Sequence, residues 1–296
     1  MDIRLAVPED AEAVAALRRI VFPYLVMKPE LVSYALTTRT PEEHREAWVA
    51  TEDGEVVGWG SGGSNTWTSD EGVSMIDVYV HPGYRRRGLG TELARIAQDH
   101  LVAAGMKKIR AFATEAAVEF ATRQGFEPTR LVHYSGADPR VLPEMPPTPA
   151  DLEIVSIATV TAEQAYRADV VAGADEPGDS PNDAVAFEQW VKDVWDAPGL
   201  DKELSAAVMA GDEIASFTAV ERDGDRVWSG MTGTIPAYRG RGLAKLVKSV
   251  ALRRAAEAGV VGAFTSNDDV NGPMLAVNEW LGYRRVATHT GLTRTL

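Results

Sequence analysis

The chain has no cysteine. That excludes a disulfide framework, a thiolate zinc site and a cysteine nucleophile, and it fits a reducing compartment. No apolar run approaches the length of a membrane helix, and the opening "MDIRLAVPEDAEAVAAL" carries acids where a signal peptide has a basic start. A soluble cytoplasmic protein with no membrane partner is the expectation. Basic residues are in deficit, 30 Lys and Arg against 43 Asp and Glu, for a formal net charge of −13. Phosphate backbones are held mainly by Lys and Arg, so nucleic acid is not an expected partner, whereas a cationic small molecule is compatible with the balance. No group of His, Asp or Glu has metal-ligand spacing, so no metal is expected. What is present is ample: 296 residues, 45% of them hydrophobic, enough to bury the cores of two domains. Monomer and homodimer are both compatible with such a chain.

Against this acidic background stands "YRRRGLGTELARIAQ", residues 84–98, three arginines followed by Gly-x-Gly and an amphipathic run. The layout returns as "YRGRGLAKLVKSVAL" at 238–252, with Arg239 lying 154 residues after Arg85. Glycines at Gly88 and Gly90 let consecutive backbone N–H groups turn toward one point, and the helix that follows adds its unpaired first amides and the positive end of its dipole. Arginines beside such a turn supply charge-assisted hydrogen bonds suited to phosphate oxygens. Neither the P-loop nor the dinucleotide-binding glycine spacing fits. A tight strand-to-helix turn under a solvated arginine cluster is the plainer alternative, and the repeat of the layout in matching contexts weighs against it.

The contexts do match. In the first half a short strand "IRLAV" precedes a helix over "PEDAEAVAALRRIVFP" that stops at Pro23. A hairpin turns at Asp53-Gly54, a strand "GVSMIDVYVHP" leads into the loop, and a helix from Leu89 ends at Gly105. A strand "KKIRAFA", a short helix around "EAAVEFATRQ" and a last strand after Gly125-Phe126 complete it. The second half repeats this order from "VTAEQAYRADVVAG", with turns at Gly211-Asp212 and Asp223-Gly224. Proline-dense sequence separates the halves. The reading is an N-terminal domain over 1–140, a linker over 141–151 and a C-terminal domain over 152–296, each mixing strands and helices.

Arg85-x-x-Gly88-x-Gly90 and Arg239-x-x-Gly242-x-Ala244 resemble the acetyl-CoA pyrophosphate loop of the GCN5-related N-acetyltransferase (GNAT) family, where Gln or Arg is followed by x-x-G-x and then Gly or Ala. The preceding Val80-His81-Pro82 resembles the family's V-x-P, Thr234-Ile235-Pro236 less closely, and Gly125-Phe126 and Gly282-Tyr283 its terminal Gly-aromatic pair. The likeness covers nearly the whole chain as two tandem copies. It implies an α/β (α+β) architecture in which each copy is a mixed, mostly antiparallel sheet that splays at its centre, flanked by helices. Acetyl-CoA is the implied cofactor. Val78 and Val80, and Thr232 and Thr234, would offer backbone to its arm. Arg85, Arg86, Arg87, Gly88, Gly90 and Thr91 would hold the pyrophosphate in the first copy, and Arg239, Gly240, Arg241, Gly242, Ala244 and Lys245 in the second.

The copies depart from the family where a helix carries an Asn for the cofactor arm and a Tyr that protonates the leaving thiolate. The first has Ala121 at the Tyr position and no Asn. The second keeps Asn271 and places Asn278 at the Tyr position, both assigned to cofactor binding against the commoner capping role of Asn. The attacking amine must be neutral, so a base is required. Asp77 and Glu115 are the first copy's candidates and Tyr283 a substitute proton donor in the second. Asp175, Glu176 and Asp179 fall where the family commonly recognises its acceptor. Retention of Asn271 points to the second copy as catalytic, with cofactor binding kept in the first. The expected activity is direct acetyl transfer, in a ternary complex, to a primary amine of a small molecule. The alternatives are an enzyme like mycothiol synthase, acting on a cysteinyl amine of a sugar conjugate, and a non-catalytic acyl-CoA sensor.

Overall fold

The computed structural model describes residues 2–183 and 185–296. The chain forms two compact units, one of 1–132 with 288–296 and one of 133–287. The first unit runs β1 (Asp2–Leu5), α1 (Ala11–Val21), α2 (Pro29–Thr37), β2 (Glu46–Glu52), β3 (Glu55–Ser64), β4 (Val73–Val80), α3 (Leu89–Ala103), β5 (Lys108–Thr114), α4 (Glu115–Arg123) and the start of β6 (Glu127–Ala137). The second unit runs from the end of β6 through β7 (Glu153–Ser156), α5 (Ala162–Gly173), α6 (Phe187–Trp190), β8 (Ala206–Ala210), β9 (Glu213–Asp223), β10 (Arg226–Thr234), α7 (Leu243–Glu257), β11 (Gly262–Asp268), α8 (Gly272–Trp280) and the start of β12 (Arg284–Thr295). No helix among the described residues is long and apolar enough to cross a membrane.

Of the strand pairings described, all are antiparallel except β4–β5 in the first unit and β10–β11 in the second. In the first unit the order is β1-β2-β3-β4-β5, followed by the Thr288–Thr295 part of β12. The β2–β3 turn is the expected Asp53-Gly54, both residues at positive φ, 52° and 84°, which matches the twist of a two-residue hairpin. In the second unit β6 is followed by β11-β10-β9-β8-β7. The terminal segment joins the first unit because its backbone pairs antiparallel with β5, His289 opposite Thr114 through Thr295 opposite Lys108.

Helix patterning explains the cores. On α3 the residues Leu89, Leu93, Ala97 and Leu101 recur at helical spacing and are all buried, against Val57, Val80 and Ile109 among others. On α7 the corresponding stripe is Leu243, Leu246, Val247, Ala251 and Ala255. The helix over 162–173 opens with a capping box, Thr161 and Gln164 each accepting from the other's backbone N–H. Two helical pieces, α2 and the α6 turn continued by a π turn at Val191–Trp195, stand where sequence periodicity gave no reading.

Candidate functional site

The two arginine loops are built alike. Gly88 and Gly242 hold φ of 84° and 76° at the N-terminus of α3 and α7, a left-handed conformation that a side chain would strain. Among the described residues the backbone N–H groups from Arg86 through Thr91 meet no acceptor, and the first bond of α3 runs from Glu92 N–H to Gly88 C=O at 3.1 Å. From Gly240 through Lys245 the same holds, with Leu246 N–H to Gly242 C=O at 3.2 Å. Arg85 Nε donates to Val80 C=O and Arg239 Nε to Thr234 C=O, both at 3.0 Å, so each first arginine is locked to the end of its strand. Arg86 holds φ 64° where the second copy has Gly240 at 77°, a conformation that costs a non-glycine residue about 1 kcal/mol.

The arginine side chains differ between the copies. Arg87 lies over the Tyr84 ring at 5.1 Å and 3.6 Å from Glu52, and Arg86 is exposed with no side-chain partner among the described residues. In the second copy Arg239 forms a two-pronged pair with Asp175, at 2.5 and 3.0 Å, and Arg241 places Nη2 between the oxygens of Asp151 at 2.7 and 2.9 Å. These guanidinium groups hold both carboxyls below their usual range. Lys245 sits over the Trp280 ring at 4.9 Å.

Beside each loop the sheet opens. Strand β4 pairs in parallel with β5 only from Val73 to Met75, and β10 with β11 only from Arg226 to Trp228. Past those points backbone groups of Val78 and Val80, and of Thr232 and Thr234, border a gap. A bulge between Ser229 and Thr232 marks the opening in the second copy. Val78 and Val80 pack toward α3, so strand alternation sends Asp77 and Tyr79 to the opposite face. Asp77 is exposed there, while Tyr79 is buried against Phe22 and Trp59, ring centroids 5.8 and 6.3 Å away. The same register in the second copy gives Met231 and Gly233. A Cβ on Gly233 would stand 2.6 Å from Ala172 Cβ, so α5 rests directly on the opened strand.

The remaining sequence candidates fall in different surroundings. Glu115 is exposed on the first turn of α4, just past the end of β5. Asn271 caps α8, its Oδ1 accepting from Met274 N–H at 3.3 Å. Asn278 is 3% exposed and donates to Asn267 Oδ1 at 2.6 Å, leaving its own Oδ1 unpaired. Tyr283 is a core residue of the second unit, 3% exposed, and burial raises its pKa. Its hydroxyl is enclosed in that core, with Lys248 over the ring at 5.5 Å.

Three polar clusters carry no local motif. Lys248, 1% exposed on α7, donates to Ser229 Oγ at 2.7 Å, and burial lowers its pKa to about 7. Tyr24 Oη and His289 Nε2 are 2.5 Å apart, with burial pushing the histidine down to about 4. Trp190 Nε1 donates to Asp169 at 2.5 Å, yet burial pushes that carboxyl up to about 6. Lys248 has the clearest sequence signal, a lysine on the apolar stripe of α7.

Comparison with known proteins agrees with this fold. The family sequence model described as "Acetyltransferase (GNAT) family" matches residues 13–126, which lie in the first copy. A mycothiol acetyltransferase of Nocardioides sp. is 27% identical over 240 residues, 74% of this chain and 81% of the relative. A tandem GNAT protein from the clavulanic acid biosynthesis pathway superposes with a TM-score of 0.77 at 19% identity, covering 99% of this chain and 98% of the other. A GCN5-related N-acetyltransferase from Sphaerobacter thermophilus gives 0.73 at 18% identity, covering 99% and 95%.

Proposed function

From the premise that the chain is a member of the GNAT superfamily, an acyltransferase with two tandem copies of the fold, we propose that it moves an acetyl group from acetyl-CoA to a primary amine of a small molecule. One observation carries the cofactor: in the first unit the strand opened past Met75 ends in a loop whose amides from Arg86 through Thr91 have no acceptor among the described residues. Those amides, the α3 dipole and the outer nitrogens of Arg85 and Arg86 suit a pyrophosphate, and the strand edge at Val78 and Val80, past the end of its pairing with β5, suits an amide-bearing arm. Acetyl-CoA supplies an activated acyl group, and the protein's part is to place an amine against it.

Asp77 is the group for that part, which places catalysis in the first copy and not in the second, where Asn271 pointed. It projects from the opened strand on the face away from α3, it is exposed, and the second copy has Met231 in its place. A carboxylate there attracts an ammonium and accepts the proton that the amine loses on attack. Ala121 offers no proton to the leaving thiolate, so in this reading solvent supplies it. A second reading narrows the acceptor: the likeness to mycothiol acetyltransferase favours the cysteinyl amine of a sugar conjugate over simple alkylamines.

Release of free CoA, followed with a panel of primary amines, tests the reading. Gly90→Glu places a carboxylate beside the amides on helical backbone with only ordinary contacts nearby, Val80 at 3.7 Å and Phe120 at 3.8 Å. It is expected to abolish calorimetric binding of acetyl-CoA. Asp77→Asn is expected to keep that binding and to lose about 100-fold in kcat. Wild-type protein that binds acetyl-CoA but releases no CoA with any amine would overturn the function.

A further inference from the structure

The second anion loop is already ligated by the protein itself. Its backbone repeats the first loop down to the left-handed glycine and the run of amides without acceptors. Its side chains do not: Arg239, the counterpart of Arg85, and Arg241, the counterpart of Arg87, are each held by a carboxylate from far along the chain, 64 and 90 residues away. Both pairs put one carboxylate oxygen after the other against guanidinium nitrogen, at 2.5 and 3.0 Å for Asp175 and at 2.7 and 2.9 Å for Asp151. The chain leaving α1 in the first copy, Phe22-Pro23-Tyr24, has no acid where Asp175 follows α5. Among the described residues the Arg85 side chain has only its bond to Val80 C=O, and Glu52 stands off from Arg87 at 3.6 Å.

Resting on the acetyl-CoA reading above, we propose that Asp151 and Asp175 decide which loop takes the pyrophosphate, so that the chain holds one CoA, in the first copy. The carboxylates act twice. They occupy the donors that would grip the phosphate oxygens, and they leave two negative charges at the rim of the site when a ligand of the same sign approaches. Each pair is exposed and so is individually weak, yet a phosphate must displace both and then remain beside them. The expected penalty is about tenfold or more in affinity for the second loop. Stoichiometry is thus set by two aspartates and not by the backbone that defines the motif.

Titration of CoA by calorimetry into four proteins tests this: wild type, Gly90→Glu, the double variant Asp151→Asn with Asp175→Asn, and that double variant with Ala244→Glu added. Wild type is expected to bind one CoA per chain and Gly90→Glu none. The double variant is expected to bind a second CoA at least tenfold more tightly than wild type does, and Ala244→Glu to remove that second site alone. Circular dichroism melts confirm that the variants stay folded, since the aspartates are on the surface. Two equal sites in wild type, or a double variant that still binds one CoA while Gly90→Glu binds none, would overturn the inference and leave the acetyl-CoA reading standing. No CoA bound by any of the four would overturn both.

Discussion

Lys248 shows how far a single residue can depart from its neighbours. Its ammonium is buried against Ser229, with the Tyr283 ring 5.5 Å away, whereas the first copy fills matching positions of helix and terminal strand with Ala94 and Phe126. The folded pKa of about 7 lies below the unfolded 10.5, so between those values the unfolded chain binds the extra proton. Stability therefore rises with pH from about 7 toward 10.5, and below 7 the full cost of a buried charge is borne. Lys248→Met is expected to be more stable than wild type at pH 6, by about 2 kcal/mol, with the advantage shrinking by pH 9. Urea unfolding at the two pH values measures it, and an advantage unchanged with pH would show the amine is not titrating there. His289 works in the same sense at lower pH: with a folded pKa near 4 and an ordinary value of 6.5, stability falls as pH drops through that interval.

At the scale of elements, the sequence was legible where period and turn chemistry agree. The Asp53-Gly54 hairpin, α1 up to Phe22, and α3 and α7 behind their glycines all stand where the pattern puts them. The opening of the sheet past Met75 and Trp228 came from the family likeness, because strand separation leaves no mark in local periodicity. Local pattern could not reveal α2, whose apolar residues run nearly all round it, or the π turn after Trp190. The pairing of Asp151 and Asp175 with loop arginines was equally hidden, since contacts across 90 and 64 residues have no spacing rule. Asn271 illustrates a choice that sequence leaves open: the motif position suggests a cofactor contact, and its side chain caps α8. The seating of α5 on β10 is the element-level feature most open to test. Gly233→Ala must push Ala172, 2.6 Å away, and Phe217, 2.9 Å away, so it is expected to cost about 1–3 kcal/mol. Gly230→Ala on the same strand, where the nearest atom is 3.5 Å away, serves as the control for loss of glycine itself. Equal stability of the two variants would refute the close seating.

Across the whole molecule the decisive feature is that Thr288–Leu296, the end of the second copy, belongs to the first unit. Leu292 is 1% exposed in the core that also holds Ile109 and Phe126, and Arg294 donates to Gln98 and to Gln124 C=O at 2.9 Å. A chain ending before Thr288 loses that buried leucine and the backbone bonds that β12 makes to β5. Its first thermal transition is expected to fall by about 10 °C or more, with the proposed acetyl-CoA binding lost in parallel. An unchanged melt would mean the strand is dispensable. Duplication usually leaves two parts that can be separated, each carrying its own fold. Here neither gene half encodes a whole sheet, because His133–Ala137 serve the second unit and Thr288–Leu296 the first. Cleavage in the proline-rich linker would therefore yield two fragments that need each other, a naturally split protein whose halves recover structure only by complementation.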